Sequence, residues 1–136
     1  MKIQFNISKK IEKAEILEKI KLTLFDCMVK MHELAVINCP VDTGALVNSI
    51  KLFPSVPGAT TYELADGVTY GIDIEFGTAP HVIMTKNKKV LANKKKGLIF
   101  GKIVNHPGTT AQPFFRPALD QVKNVWVKRF WYKNLK

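Results

Sequence analysis

Apolar residues in the first third of the chain recur at three- and four-residue steps. Ile20, Leu24, Met28, Met31 and Ala35 form one stripe, the period of an amphipathic helix. Ser8 stands where a helix cap is expected, so the pattern predicts a long helix over residues 7–38. Its other face carries Lys9, Lys10, Glu12, Lys13, Glu15, Glu18, Lys19 and Lys21, a mixed, solvated surface on which Glu15 and Lys19 sit at a supportive spacing. Cys39-Pro40 ends it, because proline disfavours helical geometry in the residue before it. Asp42 then reads as the cap of a short helix over 42–50 that carries Leu46 and Ile50.

The period changes further on. In Val68-Thr-Tyr-Gly-Ile-Asp-Ile-Glu-Phe-Gly-Thr78, Val68, Tyr70, Ile72, Ile74 and Phe76 alternate with Thr69, Gly71, Asp73, Glu75 and Gly77. That alternation predicts a strand with one buried face, and it puts Asp73 and Glu75 together on the polar side. Asp66-Gly67 reads as the turn of a hairpin pairing residues 60–65 with this strand. Leu52-Phe53, residues 79–84 and residues 98–104 supply shorter strands. A last helix is predicted over 113–131, with Leu119, Val122, Trp126 and Phe130 on its apolar face. Asp120 near its start and Lys128, Arg129 and Lys133 near its end match the helix dipole. Trp126, Phe130, Trp131 and Tyr132 exceed one stripe, which points to a subunit contact at the tail of this helix. The expected class is α+β: a mostly antiparallel sheet of four to five strands, within 60–104, packed against a long N-terminal helix and a C-terminal helix. A short helix follows the first one, and the whole chain, 1–136, makes a single domain.

Composition narrows the function. At 136 residues, 46% hydrophobic and 24% charged, the chain can bury its own core, and it is neither disordered nor membrane-like in make-up. No apolar run reaches the length of a membrane span, and Met1-Lys-Ile-Gln-Phe-Asn lacks the features of a secretory signal. A cytoplasmic place of assembly and no membrane partner are therefore expected. Cys27 and Cys39 lack metal or redox spacing and read as buried free thiols. The net charge of +10 favours an acidic partner. Lys86, Lys88, Lys89, Lys94, Lys95 and Lys96 flank Val90-Leu-Ala, a hairpin with a basic tip. Phosphate contact there would be electrostatic and indifferent to base sequence, since no stacking aromatic lies within the run.

Candidate chemistry is sparse. His81 and His106 could be oriented by Asp73 or Glu75, but no serine or cysteine has a nucleophile context. Asp73 and Glu75 could hold a metal as in a small nuclease, yet the expected Glu-x-Lys is Glu75-Phe-Gly. Asp42-Thr-Gly continues at helical spacing and has no second copy, unlike the paired turns of aspartic proteases. No catalytic residue, metal ligand or cofactor is assigned.

Four segments together resemble the tail-completion, or head-to-tail joining, proteins of tailed bacteriophages and prophages. They are Cys39-Pro-Val-Asp-Thr-Gly-Ala-Leu-Val-Asn-Ser-Ile50, Tyr70-Gly-x-x-x-Glu-Phe-Gly-Thr78, Val104-Asn-His-Pro-Gly-Thr109 and Gln112-Pro-Phe-Phe-Arg-Pro-Ala-Leu119. The likeness spans residues 10–125; it departs at Asn48, where the family often has arginine, and in the aromatic, lysine-rich tail. It implies a small α+β virion protein forming a ring, most often a hexamer, in the neck between the head-side connector and the tail tube. DNA would pass through the channel without sequence recognition, and no chemistry is implied.

Under this reading Gly71 and Gly77 admit close backbone approach and Phe76 anchors the sheet under the helices. Arg116 pairs with Glu75 within or between subunits. Tyr70, Glu75, Phe76, Gly77, His106, Phe114, Arg116, Trp126 and Trp131 are the expected assembly residues, Asp73 and Glu75 the channel-facing ones, and the lysines of 86–96 the phosphate-contacting ones. A sequence-independent DNA-binding protein is the second reading and a small metal-dependent nuclease the third.

Overall fold

The computed structural model describes residues 1–6, 14–86 and 90–134. The expected cap Ser8 and the lysines Lys88 and Lys89 lie outside the described residues. Helix α1 (Ala14–Asn38) is the spine, burying Met28, Met31 and Ala35 of the expected stripe together with Thr23 and Cys27, while Ile20 and Leu24 are partly buried. Against it lie a C-terminal helical run and a three-stranded sheet. The run comprises α4 (Phe115–Gln121), a π-helical turn over Val122–Trp126, and α5 (Val127–Asn134). The extra residue of the π turn keeps Val122 buried and rolls Trp126 and Phe130 onto the core. Their rings stack 5.5 Å apart, and Lys30 of α1 sits 4.7 Å over Trp126. Trp126 and Trp131 are thus half-buried against their own α1, and most of the aromatic surplus is absorbed within the chain.

The sheet has the order β1 (Lys2–Asn6), β3 (Thr61–Ala65), β2 (Lys51–Phe53), all antiparallel. Tyr62 and Leu64 of the central strand are fully buried. Tyr62 spends its hydroxyl on the 56–59 loop, donating to the Val56 carbonyl (2.9 Å) and accepting from the Ala59 amide (3.2 Å). Strand β1 was not among the expected elements, although Ile3 and Phe5 alternating with Lys2, Gln4 and Asn6 are its signal.

The α+β class and both flanking helices are as expected, but the strands divide among three small antiparallel sheets. Two of these form an arm. Its root is β4 (His81–Met84) paired with β7 (Ile103–His106), and its outer part is β5 (Ala92–Asn93) paired with β6 (Leu98–Ile99). Lys94, Lys95, Lys96 and Gly97 make the turn, so the hairpin does carry a basic tip.

Residues 68–78 do not form the expected strand. They turn at Val68 and then make the short helix α3 (Gly71–Phe76). Residues 61–65 cannot pair with them, because β3 already has β1 on one edge and β2 on the other. Asp66-Gly67 is accordingly not a hairpin turn; the Asp66 carboxylate instead accepts from the N-terminal amino group at 3.1 Å. A Cβ at Gly71 would lie 2.5 Å from an Asp66 carboxylate oxygen, so a side chain there would push the carboxylate off its contact with the amino group. Helix α2 (Ala45–Ser49) is present, but Asp42 does not cap it. Gly44 takes the cap position with φ 81°, and the Thr43 hydroxyl accepts a long 3.4 Å bond from the Ala45 amide.

Burial, and then the Asp26 carboxylate, push the Cys27 thiol up to about 11. Burial, and then Asp66, raise that of Cys39. Both are free, buried and protonated at neutral pH.

Candidate functional site

The six residues of α3 turn Glu75 inward, where its side chain is fully buried. A lone buried carboxylate is costly unless every oxygen finds a donor. Here the donors come from the start of α4, some forty positions later. Glu75 Oε2 accepts from the amides of Phe114 (2.7 Å) and Phe115 (3.0 Å), and Oε1 accepts from the amide of Arg116 (3.0 Å) and its Nε (3.1 Å). Arg116 Nη2 also donates to the Glu75 carbonyl at 2.9 Å. These amides are the ones a helix leaves without partners in its first turn, and α4 has no cap of its own. Pro117 follows with no N–H to satisfy. Glu75 is therefore a cap supplied from a distant segment, with the helix dipole and the guanidinium adding to its hold.

Burial alone would push the Glu75 carboxyl up, but the amides of Phe114, Phe115 and Arg116, with the Arg116 side chain, outweigh it and hold the group below its ordinary range. Phe114 and Phe115, fixed at their amides, drive both rings into the core, 4.6 Å apart and fully buried.

The joint is sewn further along. The Gln112 amide donates to the Ile74 carbonyl at 2.8 Å, and Thr78 and Thr109 exchange both backbone bonds at 3.1 Å. Their hydroxyls also lie 3.1 Å apart. Gly77 (φ 72°) and Gly108 (φ 87°) make this approach possible. A Cβ on Gly77 would stand 2.5 Å from the Thr109 carbonyl oxygen, and one on Gly108 would collide with that of Thr78. Beside the joint, a groove of about 350 Å³ runs between α3 and the segment 40–46 leading into α2, with Val41, Tyr70, Ile74 and Gln112 among its walls. Four separate segments, 39–50, 70–78, 104–109 and 112–119, thus converge on one place.

Comparison with protein-family models, curated proteins and solved structures gives no match.

Several expected residues move. Glu75 and Phe114 are fully buried within the chain, so neither can face a channel or a neighbouring subunit in this conformation. Phe76 does not anchor a sheet; it is half exposed and lies under the Arg116 guanidinium at 4.6 Å. Asp73 is exposed while Glu75 points inward, so the two do not share a face and do not make a nuclease-like pair. Among the described residues, no three His, Cys, Asp or Glu side chains come together as a metal site. His81 and His106 face each other across β4 and β7, with ring centroids 5.0 Å apart. The backbone engages both: His81 Nδ1 lies 2.9 Å from the Ala79 carbonyl, and His106 Nδ1 accepts from the Gly108 amide at 3.1 Å. Gly77 and Arg116 do sit at the joint, and Tyr70 borders the groove beside it. Among the described residues, no helix is long and apolar enough to cross a membrane.

The Arg116 side chain is about half exposed, so its loss weakens the joint without undoing it. Arg116→Met is expected to cost about 1–2 kcal/mol, because the amide bonds to Glu75 remain. Urea denaturation of the two proteins side by side checks this.

Proposed function

We propose that this chain is a structural subunit of a tailed-phage or prophage neck, forming a ring that completes the tail and joins it to the head connector. One observation carries the reading: of the four segments that resemble the joining proteins, three are bonded together at the Glu75 joint and the fourth, 39–50, walls the groove beside it. Motif residues gathered for chemistry would converge on a reactive group, whereas these converge on backbone bonds and leave apolar side chains outside. Ile37, Val41, Ile72 and Phe76 are more than half exposed, apolar side chains open to a second protein. The partners in this reading are further copies of the chain, most often six to a ring, the head-side connector, the tail tube protein, and DNA in the channel. No catalysis or cofactor is part of the function.

The exposed lysines at the arm tip favour a second reading, sequence-independent DNA binding. Sedimentation of the purified chain with and without duplex DNA separates the two. The ring reading expects concentration-dependent assembly without DNA. The second expects a monomer whose tight DNA binding falls steeply with salt and weakens when Lys94, Lys95 and Lys96 are neutralised.

A further inference from the structure

Residues opposite one another in a β-ladder lie on the same side of the ribbon. In the arm root this places His81, His106, Ile83 and Val104 on one side and Val82, Met84 and Ile103 on the other. The first side is half-covered, with Leu91 and Phe100 bordering it. The second is bare: Val82, Met84 and Ile103 are 56%, 65% and 62% exposed. A two-stranded ribbon is marginal in water by itself, so an open apolar side calls for a cover. Exposed lysines accompany it, Lys86 and Lys102 next to the root and Lys94–Lys96 at the tip.

A second bare patch lies on the body. Ile72 and Phe76 stand one turn apart on α3, 55% and 53% exposed, with the exposed Asp73 beside them and the Arg116 guanidinium, its charge matched by Glu75, 4.6 Å over one face of the Phe76 ring. Across the neighbouring groove from Tyr70 are the exposed Val41 and Asp42. One patch is apolar and basic and the other is apolar and acidic. Within the chain Lys95 Nζ lies 3.7 Å from Asp42 Oδ2. That contact is long, with side chains 73% and 91% exposed, so it is weak and leaves both apolar patches open.

We infer that the arm of one copy lies over the α3 ledge of the next, setting Val82, Met84 and Ile103 against Ile72 and Phe76 and the tip lysines against Asp42 and Asp73. The contact rests on the ring reading and specifies it. Because two different patches meet, it is head-to-tail, the kind that propagates around a ring. The local charge match offsets the repulsion between copies that each carry a net +10.

Two variants test it. One carries Asp42→Lys and Asp73→Lys; the other carries Lys94→Glu, Lys95→Glu and Lys96→Glu. All five positions are exposed, so both variants should fold, and circular dichroism confirms that they do. Each alone should need more than about tenfold higher concentration than wild type to assemble, because like charges meet at the contact. An equimolar mixture should assemble like wild type, since lysine tips then meet aspartate ledges and glutamate tips meet lysine ledges in alternation. Wild-type-like assembly of either variant alone, or folded variants whose mixture stays apart, overturns the inference and leaves the ring reading standing. A wild-type chain that never assembles overturns the ring reading, and the contact with it.

Discussion

Glu75→Gln is expected to lower the stability of this chain by about 3 kcal/mol and Glu75→Ala by about 5 kcal/mol. The glutamine keeps one acceptor but turns its NH₂ toward groups that are themselves donors, the amides of Phe114 and Phe115 or the amide and Nε of Arg116. The alanine leaves all of these without a partner and opens a hole beneath α4. A domain of this size has a total stability on the order of 5–15 kcal/mol, so the alanine variant should sit near the unfolding threshold. Thermal denaturation followed by circular dichroism reads both. The same carboxylate sets an acid limit. Its folded-state pKa lies below its ordinary value of 4.5, so the stability it supplies is fully present above about pH 4.5 and is lost as the pH falls through the lower, folded-state value. The glutamine variant should lose that part of the acid sensitivity, and a pH series of melting curves compares the two.

The second large effect is expected at the glycines that let the joint close. Gly77→Ala or Gly108→Ala should each cost about 3 kcal/mol. Both have positive φ, which disfavours any L side chain, and in both the new methyl meets a backbone carbonyl of the opposing strand. Because the backbone bonds between Thr78 and Thr109 must part to make room, the arm root should loosen before the α1 core does. Amide exchange at Thr78 and Thr109 should therefore speed up at conditions where the amides of α1 remain protected. Equal protection in the variant and the wild-type chain would contradict the geometry.

What the sequence made legible follows from where each signal resides. Helix α1 and the C-terminal helix announce themselves because apolar residues recur on one face over several turns, and the three- and four-residue repeat of Met28, Met31 and Ala35, all buried, has no strand equivalent. Residues 68–78 misled for the opposite reason. In a six-residue helix only Gly71 and Glu75 are buried, so no helical stripe exists to be seen, and the alternation of Tyr70, Ile72, Ile74 and Phe76 mimics a pleated strand. The meaning of Glu75 depends on amides 39 to 41 positions away, which no local pattern carries. A partial signal was present: Pro117 in the first turn of α4, with no capping side chain before it, leaves amides that some distant acceptor must satisfy. The Glu75–Arg116 pairing was legible as two isolated opposite charges held near rigid elements. That the backbone of 114–116 is the larger partner was not.

Assembly with further copies of the chain is the proposal on which the ring reading and the arm contact both depend. Electron microscopy of the purified full chain tests it most directly. Closed rings of uniform subunit number, with an open centre wide enough for duplex DNA, are the expected result. A field of dispersed single particles at concentrations where the chain is folded and stable would contradict it.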